Sequence, residues 1–180
     1  MKTILTTPRL TLRELVPDDR ADLAEILQDP EAMYAYEHAF SDGEVDQWLD
    51  RQLERYARYG FGLWAVIDHV TGEWVGQCGL TIQNVETVEE LEVGYLLKRR
   101  FWHRGYAREA AAACRDYAFN TLGARRLVAC VRVNNGPSRR VAEHLGMTVE
   151  RIYVKHYYDW DLPHALYVLE LPEKKKELSR

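Results

Sequence analysis

The stretch Leu91–Asn120, LEVGYLLKRRFWHRGYAREAAAACRDYAFN, limits the folds open to this chain more than any other segment. An apolar run of strand character feeds through a basic turn holding Gly105 into a helical pattern, whose start is expected at Ala107 or Arg108. Ala107, Ala110, Ala111, Cys114 and Ala118 fall on one face of that helix, and small side chains there let it sit close against a sheet. A strand, a glycine turn and a helix in this order aim backbone N–H groups and the positive end of a helix dipole at one point, which suits a phosphate group. The segment therefore predicts a mixed α/β protein that grips a phosphorylated cofactor at this corner.

The flanking patterns agree with that class. Arg9–Leu15 alternates apolar and polar residues as a half-buried first strand does, and Pro17, Asp18 and Asp19 open a helix with Leu23, Ile26 and Leu27 as its apolar stripe. Ser41 and Glu44 form a capping-box pair ahead of a second helix carrying Val45, Trp48, Leu49, Leu53 and Tyr56 on one face. Between the two lies YAYEHAF, residues 34–40, whose aromatic and ionisable side chains fit either a pocket lining or a packed loop. From Phe61 to Leu97 three strand-like runs, broken at Asp68–Gly72 and at Asn84–Thr87, predict an antiparallel meander. After the Gly105 helix come RLVACVRV as a strand, a short helix marked by Ser138, Val141, Ala142 and Leu145, and two closing strands in VERIYVKHYYDWD and HALYVLEL. A central, mostly antiparallel sheet with about four helices in a single domain over residues 1–180 is the expected architecture.

Composition removes several function classes. With 180 residues the chain can bury a sizeable core, and no apolar run approaches a membrane span, so a soluble cytoplasmic protein without membrane contact is expected. The three cysteines fall inside apolar patterns and the six histidines show no ligand spacing, which leaves neither a disulfide framework nor a metal centre in prospect. The net charge of −4 argues against stable nucleic-acid binding, yet the charge is segregated. Eleven Lys or Arg between Lys98 and Arg140 face only Glu109 and Asp116, so an acidic remainder could draw in a cationic partner while the basic segment holds an anionic cofactor.

Taken in order, EVGYLL, WHRGYAREA, then NNGPS followed by a helix and HLGM resemble the GNAT superfamily of N-acetyltransferases, and TPRLTLRELVPDDRADLAEILQDPEAM resembles its RimJ/RimL-type branch of ribosomal-protein N-terminal acetyltransferases. The resemblance runs from about Thr6 to Leu171. It implies acetyl-CoA as cofactor, with Trp102, His103, Arg104, Gly105, Tyr106 and Ala107, and Arg108 beyond them, cradling the pyrophosphate. It also implies that Tyr95, Leu96 and Leu97 offer strand backbone to the pantetheine arm, and that Asn135 and Ser138 match the family's N-x-x-S near the sulfur. His103 stands where a small residue is common, Met147 replaces an aromatic, and the family's tyrosine acid corresponds to Ala142, so the thiolate must be protonated from elsewhere.

Amine acetylation needs a base for the ammonium proton, a donor for the oxyanion and an acid for the leaving thiolate. Glu92, on the strand leading to the phosphate turn, is the best base on offer, and the resemblance places it facing the amine, acting through a water. A backbone N–H of that strand can serve the oxyanion, and Ser138 is the candidate acid. Glu37 with His38, and Asp159 with Asp161, are expected to contact the acceptor's cation. The acceptor is a protein N-terminal α-amine or a small amine such as an amino acid, a polyamine or an antibiotic; a non-catalytic RNA- or ribosome-binding module is the rival outside this class. A homodimer through sheet edges is one assembly such a fold allows.

Overall fold

The computed structural model describes residues 2–157 and 160–171. Eight strands form one sheet: β1 (Thr3–Thr6), β2 (Leu10–Arg13), β3 (Leu63–Asp68), β4 (Trp74–Val85), β5 (Val88–Leu97), β6 (Arg126–Arg132), β7 (Thr148–Tyr157) and β8 (Trp160–Glu170). Four helices accompany them: α1 (Arg20–Leu27), α2 (Asp42–Tyr59), α3 (Tyr106–Asn120) and α4 (Gly136–His144). The strand order is β1-β2-β3-β4-β5-β6-β8-β7, and every neighbouring pair is antiparallel except β5 and β6. This is the mixed α/β, mostly antiparallel sheet with four helices that the patterns predict.

Alternation sends successive β5 side chains to opposite faces of the sheet. On one face Val93 and Leu97 join α3 and α4 in a core with Leu10, Trp64, Cys78, Leu127 and Ala165. On the other, α1 and α2 bury Leu23, Ile26, Leu27, Val45 and Leu49 over Ala65 and Trp74. The small face of α3 is confirmed: Ala110, Ala111, Cys114 and Ala118 are fully buried. Ser41 and Glu44 form the predicted capping box at the start of α2, and the break before β5 is a two-residue turn at Glu86–Thr87, with Glu86 at φ 57°.

Two sequence expectations are corrected. The chain starts with an additional strand, β1, hairpinned to β2 through Thr7–Arg9, which Thr3–Thr6 is too short to announce by alternation. α3 begins at Tyr106, because Gly105 at φ 79° is already its N-cap. Cys78 and Cys114, distant in sequence, lie with their sulfurs 3.6 Å apart in the core as free thiols. No helix among the described residues is long and apolar enough to cross a membrane.

Candidate active site

The one parallel pair in the sheet creates the site. Among the described residues β5 and β6 pair at Glu92–Val128 alone, and beyond that point a gap opens between Glu92–Leu96 and Ala129–Arg132. The Glu92 side chain closes the end of the ladder: its Oε1 accepts the Cys130 N–H at 3.1 Å, and its Oε2 accepts the Thr81 hydroxyl at 3.3 Å. Tyr95–Leu97 bond to β4 on one edge and leave the other edge facing the gap.

Two cavities meet across that gap. A groove of about 650 Å³ runs over the N-terminus of α3 and along α4, and a cavity of about 420 Å³ lies on the α1–α2 side, enclosing Glu92. Both volumes fall in the range of small-ligand sites. The two share Ala32, Tyr95, Leu96, Asn135 and Ser138, so the junction between them is built from the strand residues and the N-x-x-S pair singled out in the sequence.

The groove carries the anion chemistry. No backbone N–H from His103 to Arg108 has a protein acceptor among the described residues, and these donors converge with the α3 dipole. Gly105 is indispensable there, since φ 79° is a conformation that L side chains rarely adopt, and a Cβ would meet Arg9 Nη2 at 3.4 Å. The turn is anchored from behind by the β1–β2 connection. Arg9 Nη1 donates to the Arg104 carbonyl at 3.0 Å and Nε to Glu109 at 2.6 Å, while Thr7 Oγ1 donates to Glu109 at 2.6 Å. Burial alone would raise the Glu109 pKa, but these hydrogen bonds outweigh it and hold the carboxyl below its ordinary value. Tyr106 completes the clamp by donating to Asp68 at 2.6 Å. Trp102 Nε1 donates to the Leu97 carbonyl at 3.0 Å, which ties the turn to the strand. Of the predicted cofactor residues, Tyr95, Leu96, Leu97, Trp102, His103, Gly105, Tyr106, Ala107, Arg108 and Asn135 all line the groove; Arg104 lies outside its lining and stacks its guanidinium on Phe101. Free N–H donors and a glycine-dependent turn are the chemistry a diphosphate needs, so the residues fit the phosphorylated cofactor.

At the junction Asn135, rather than Ser138, caps α4: its Oδ1 accepts the Ser138 N–H at 3.2 Å and the Tyr34 hydroxyl at 2.6 Å. Ser138 Oγ donates to Tyr95 Oη at 3.0 Å, and Tyr95 passes its own proton to the Ser138 carbonyl at 2.8 Å. Burial pushes the Tyr95 phenol far above its ordinary pKa, so it stays protonated. The sequence reading used only the Tyr95 backbone and missed this hydroxyl; tyrosine after V-G in a strand carries no pattern that separates it from a packing residue.

In the second cavity, burial raises the Glu92 pKa above the usual carboxylate range, partly offset by Lys155 and by the Cys130 and Thr81 hydrogen bonds. Glu37 and His38 line this cavity as expected, so the 34–40 segment is a pocket wall, although His38 also bonds Glu44 at 2.8 Å. Asp159 lies outside the described residues. Asp161 pairs with His156 at 2.5 Å on the exposed β7–β8 hairpin and does not line the cavity. Part of the acidic remainder meets the basic segment: Lys98, Arg99, Arg100 and Arg126 pair with Asp22, Glu25, Asp29, Glu31, Glu90, Glu150 and Glu170, so these seven carboxylates are not turned to an acceptor.

Residues 9–148 match the family model described as "Acetyltransferase (GNAT) domain". The chain is 38% identical over 167 residues to the uncharacterized protein YkkB of Bacillus subtilis, covering 92% of this chain and 95% of that one. It superposes on the crystal structure of the acetyltransferase from Agrobacterium tumefaciens with a TM-score of 0.80 at 30% identity, over 95% of both chains. The ribosomal L7/L12 α-N-protein acetyltransferase RimL, solved with coenzyme A, shares the fold with a TM-score of 0.76 at 19% identity, over 94% of this chain and 98% of that one. Fold, phosphate turn and the match over residues 9–148 agree: the chain belongs to the GNAT acetyltransferase family and is an N-acetyltransferase.

Proposed function

We propose that this chain acetylates the α-amine of its acceptor, with acetyl-CoA in the α3–α4 groove and Glu92 as the base. The observation that carries the reading is the position of Glu92, enclosed in the second cavity at the point where β5 leaves β6, three residues before Tyr95, where that cavity joins the groove. Acetyl-CoA, the donor GNAT enzymes use, supplies a thioester-activated acetyl group. His103–Arg108 would hold its diphosphate, the open edge of Tyr95–Leu97 its pantetheine arm, and Asn135 and Ser138 its sulfur end.

Glu92 Oε2, which accepts the Thr81 hydroxyl at 3.3 Å, takes the ammonium proton, directly or through one water. Its raised pKa makes it a stronger base than an ordinary carboxylate. A free N–H on the β5 edge meets the oxyanion as the amine attacks. Ser138 Oγ and Tyr95 Oη, hydrogen-bonded at 3.0 Å, supply the proton to the departing thiolate.

The energetics favour an amine of low pKa. Deprotonating a lysine at pH 7 costs roughly 4 to 5 kcal/mol and an α-amine about 1 kcal/mol, a difference one carboxylate does not make up. Resemblance to the RimJ/RimL-type sequences supports a protein N-terminus as the source of that α-amine; a free amino acid also offers an α-amine, of a pKa that its own carboxylate raises. The binding-module rival is disfavoured by the net charge of −4 and by the carboxylates that neutralise Lys98, Arg99, Arg100 and Arg126.

Calorimetry with acetyl-CoA, followed by CoA release measured over peptides, amino acids and polyamines, tests the reading. Tight acetyl-CoA binding and turnover confined to α-amines are expected. Turnover of polyamines or lysine side chains in preference to α-amines overturns the acceptor assignment; salt-sensitive RNA binding without acetyl-CoA binding overturns the enzyme.

A further inference from the structure

The cavity that encloses Glu92 is not the acidic vestibule that a cationic acceptor wants. Four basic side chains line it, Arg51 and Arg55 from α2, Arg132 from β6 and Lys155 from β7, against Glu37, Glu44 and Glu92. Glu44 is already committed to Ser41 and His38, and these bonds lower its pKa to about 2. Arg51 and Arg55 have no carboxylate within ion-pair distance among the described residues.

Arg55 is the better defined of the two. It is half-buried, and one Nη1 bond, 3.1 Å to Gln52 Oε1, fixes its aim. Gln52 is itself fully buried and held by the Leu63 N–H at 3.1 Å, so the guanidinium rests on a rigid base. Arg51 lies over the Trp48 ring at 5.5 Å, and Trp48 is pinned by its Nε1 bond of 3.0 Å to Gln77. Burial and the neighbouring Arg51 lower the Arg55 pKa by more than Glu92, Tyr59 and Tyr36 raise it. A guanidinium held this way, with most of its donors free, is built for bidentate contact with a carboxylate.

We infer that Arg55, seconded by Arg51, binds an anionic group on the acceptor, so that the substrate is an amino-carboxylate: an amine presented to Glu92 with a carboxylate a few bonds away. The inference rests on the acetyltransferase reading above and narrows it. The same cations disfavour the ammonium form of the bound amine, which eases the proton transfer to Glu92, and they repel polyamines. The carboxylate is either the acceptor's own α-carboxyl, as in a free amino acid, or the side chain of an acidic residue near a peptide N-terminus.

The test uses the intact protein and three probe sets with acetyl-CoA: free amino acids, the matching amino-acid carboxamides, and C-terminally amidated tripeptides with or without Asp or Glu at the second position. CoA release is followed for each. The acid form is expected to exceed its neutral counterpart in kcat/KM by at least about tenfold, the arithmetic of one charge-assisted contact of 1.4 kcal/mol. The set in which the gap appears identifies where the carboxylate comes from. Arg55→Gln should collapse the acid-to-neutral ratio towards one through KM, Arg55→Lys should restore part of it, and the heat of acetyl-CoA binding should persist in both. A ratio near one in the native protein, or a ratio that survives both Arg55→Gln and Arg51→Gln, overturns the inference. If neutral amines are turned over well, the enzymatic reading stands while this one falls; if acetyl-CoA gives no binding heat, both fall.

Discussion

The groove and the cavity, two halves of one gap in the sheet, are made of different materials. The groove recognises its ligand with backbone: six consecutive N–H groups, a helix terminus and a glycine, all within one short segment. The cavity offers side chains drawn from the 34–40 segment, α2, β3, β4, β5, β6, α4, β7 and β8. Backbone recognition is local and tolerates changes elsewhere, whereas a cavity assembled from so many elements changes its specificity with any one of them. The same contrast accounts for how one scaffold can keep its donor and vary its acceptor.

Three substitutions press on that contrast. Glu92→Gln should lower kcat by roughly 10² to 10³ while acetyl-CoA affinity holds, since it removes a base from the cavity and nothing from the groove; stopped-flow turnover alongside calorimetry separates the two. In the native protein kcat/KM should climb with pH through a pKa above the ordinary glutamate value, because burial holds the Glu92 proton longer, and this limb should vanish in the variant. Gly105→Val should do the converse, weakening acetyl-CoA by about 10- to 100-fold through backbone strain at φ 79° and leaving the acceptor preference unaltered. If it changes acceptor choice as strongly as donor affinity, the two halves are not separable.

Tyr95→Phe sits on the boundary and should lower kcat about tenfold with little change in either KM, as expected of a lost proton donor; an unaltered kcat leaves the proton to Ser138 or water. The smallest effect concerns stability. A carboxyl whose folded pKa is raised holds more protons than its unfolded counterpart above the unfolded value, so the native protein loses stability as pH rises through that window. Glu92→Gln should therefore raise Tm at neutral pH, on the order of 2 °C, and should leave it unchanged near pH 4, where both states are protonated. A Tm that falls instead would show that the Glu92 bonds to Cys130 and Thr81 stabilise the sheet more than burial costs.

Legibility followed the same division. The phosphate turn, its glycine, the small face of α3, the capping box of α2 and the meander of β3–β5 all depend on neighbours within about one helical turn or one strand, and the sequence pattern announces them. Glu37 and His38 line the cavity, and the 34–40 loop that carries them stands out in the sequence because it concentrates its ionisable and aromatic side chains in one short run. The Tyr95 hydroxyl, Arg55 and Arg51 carry no such signal: a tyrosine in a strand and arginines on an amphipathic helix match ordinary packing and solvated positions until the opposite wall of the cavity is known. The cross-pairing of Lys98, Arg99, Arg100 and Arg126 is equally invisible, because charge summed along the chain says nothing about which charges pair across it.

By itself the sequence determined the fold class, the strand-to-helix corner and the anion-binding chemistry there, because each is written in periodicity and in the steric permission of a single glycine. Only the tertiary structure decided that β5 and β6 part at Glu92, that Ser138 and Tyr95 share a hydrogen bond, and that Arg55 lines Glu92's cavity with its pKa lowered by burial and Arg51. Those facts depend on long-range packing between elements far apart in the chain, and burial, which raises the pKa of Glu92 and lowers that of Arg55, exists only once the walls have closed.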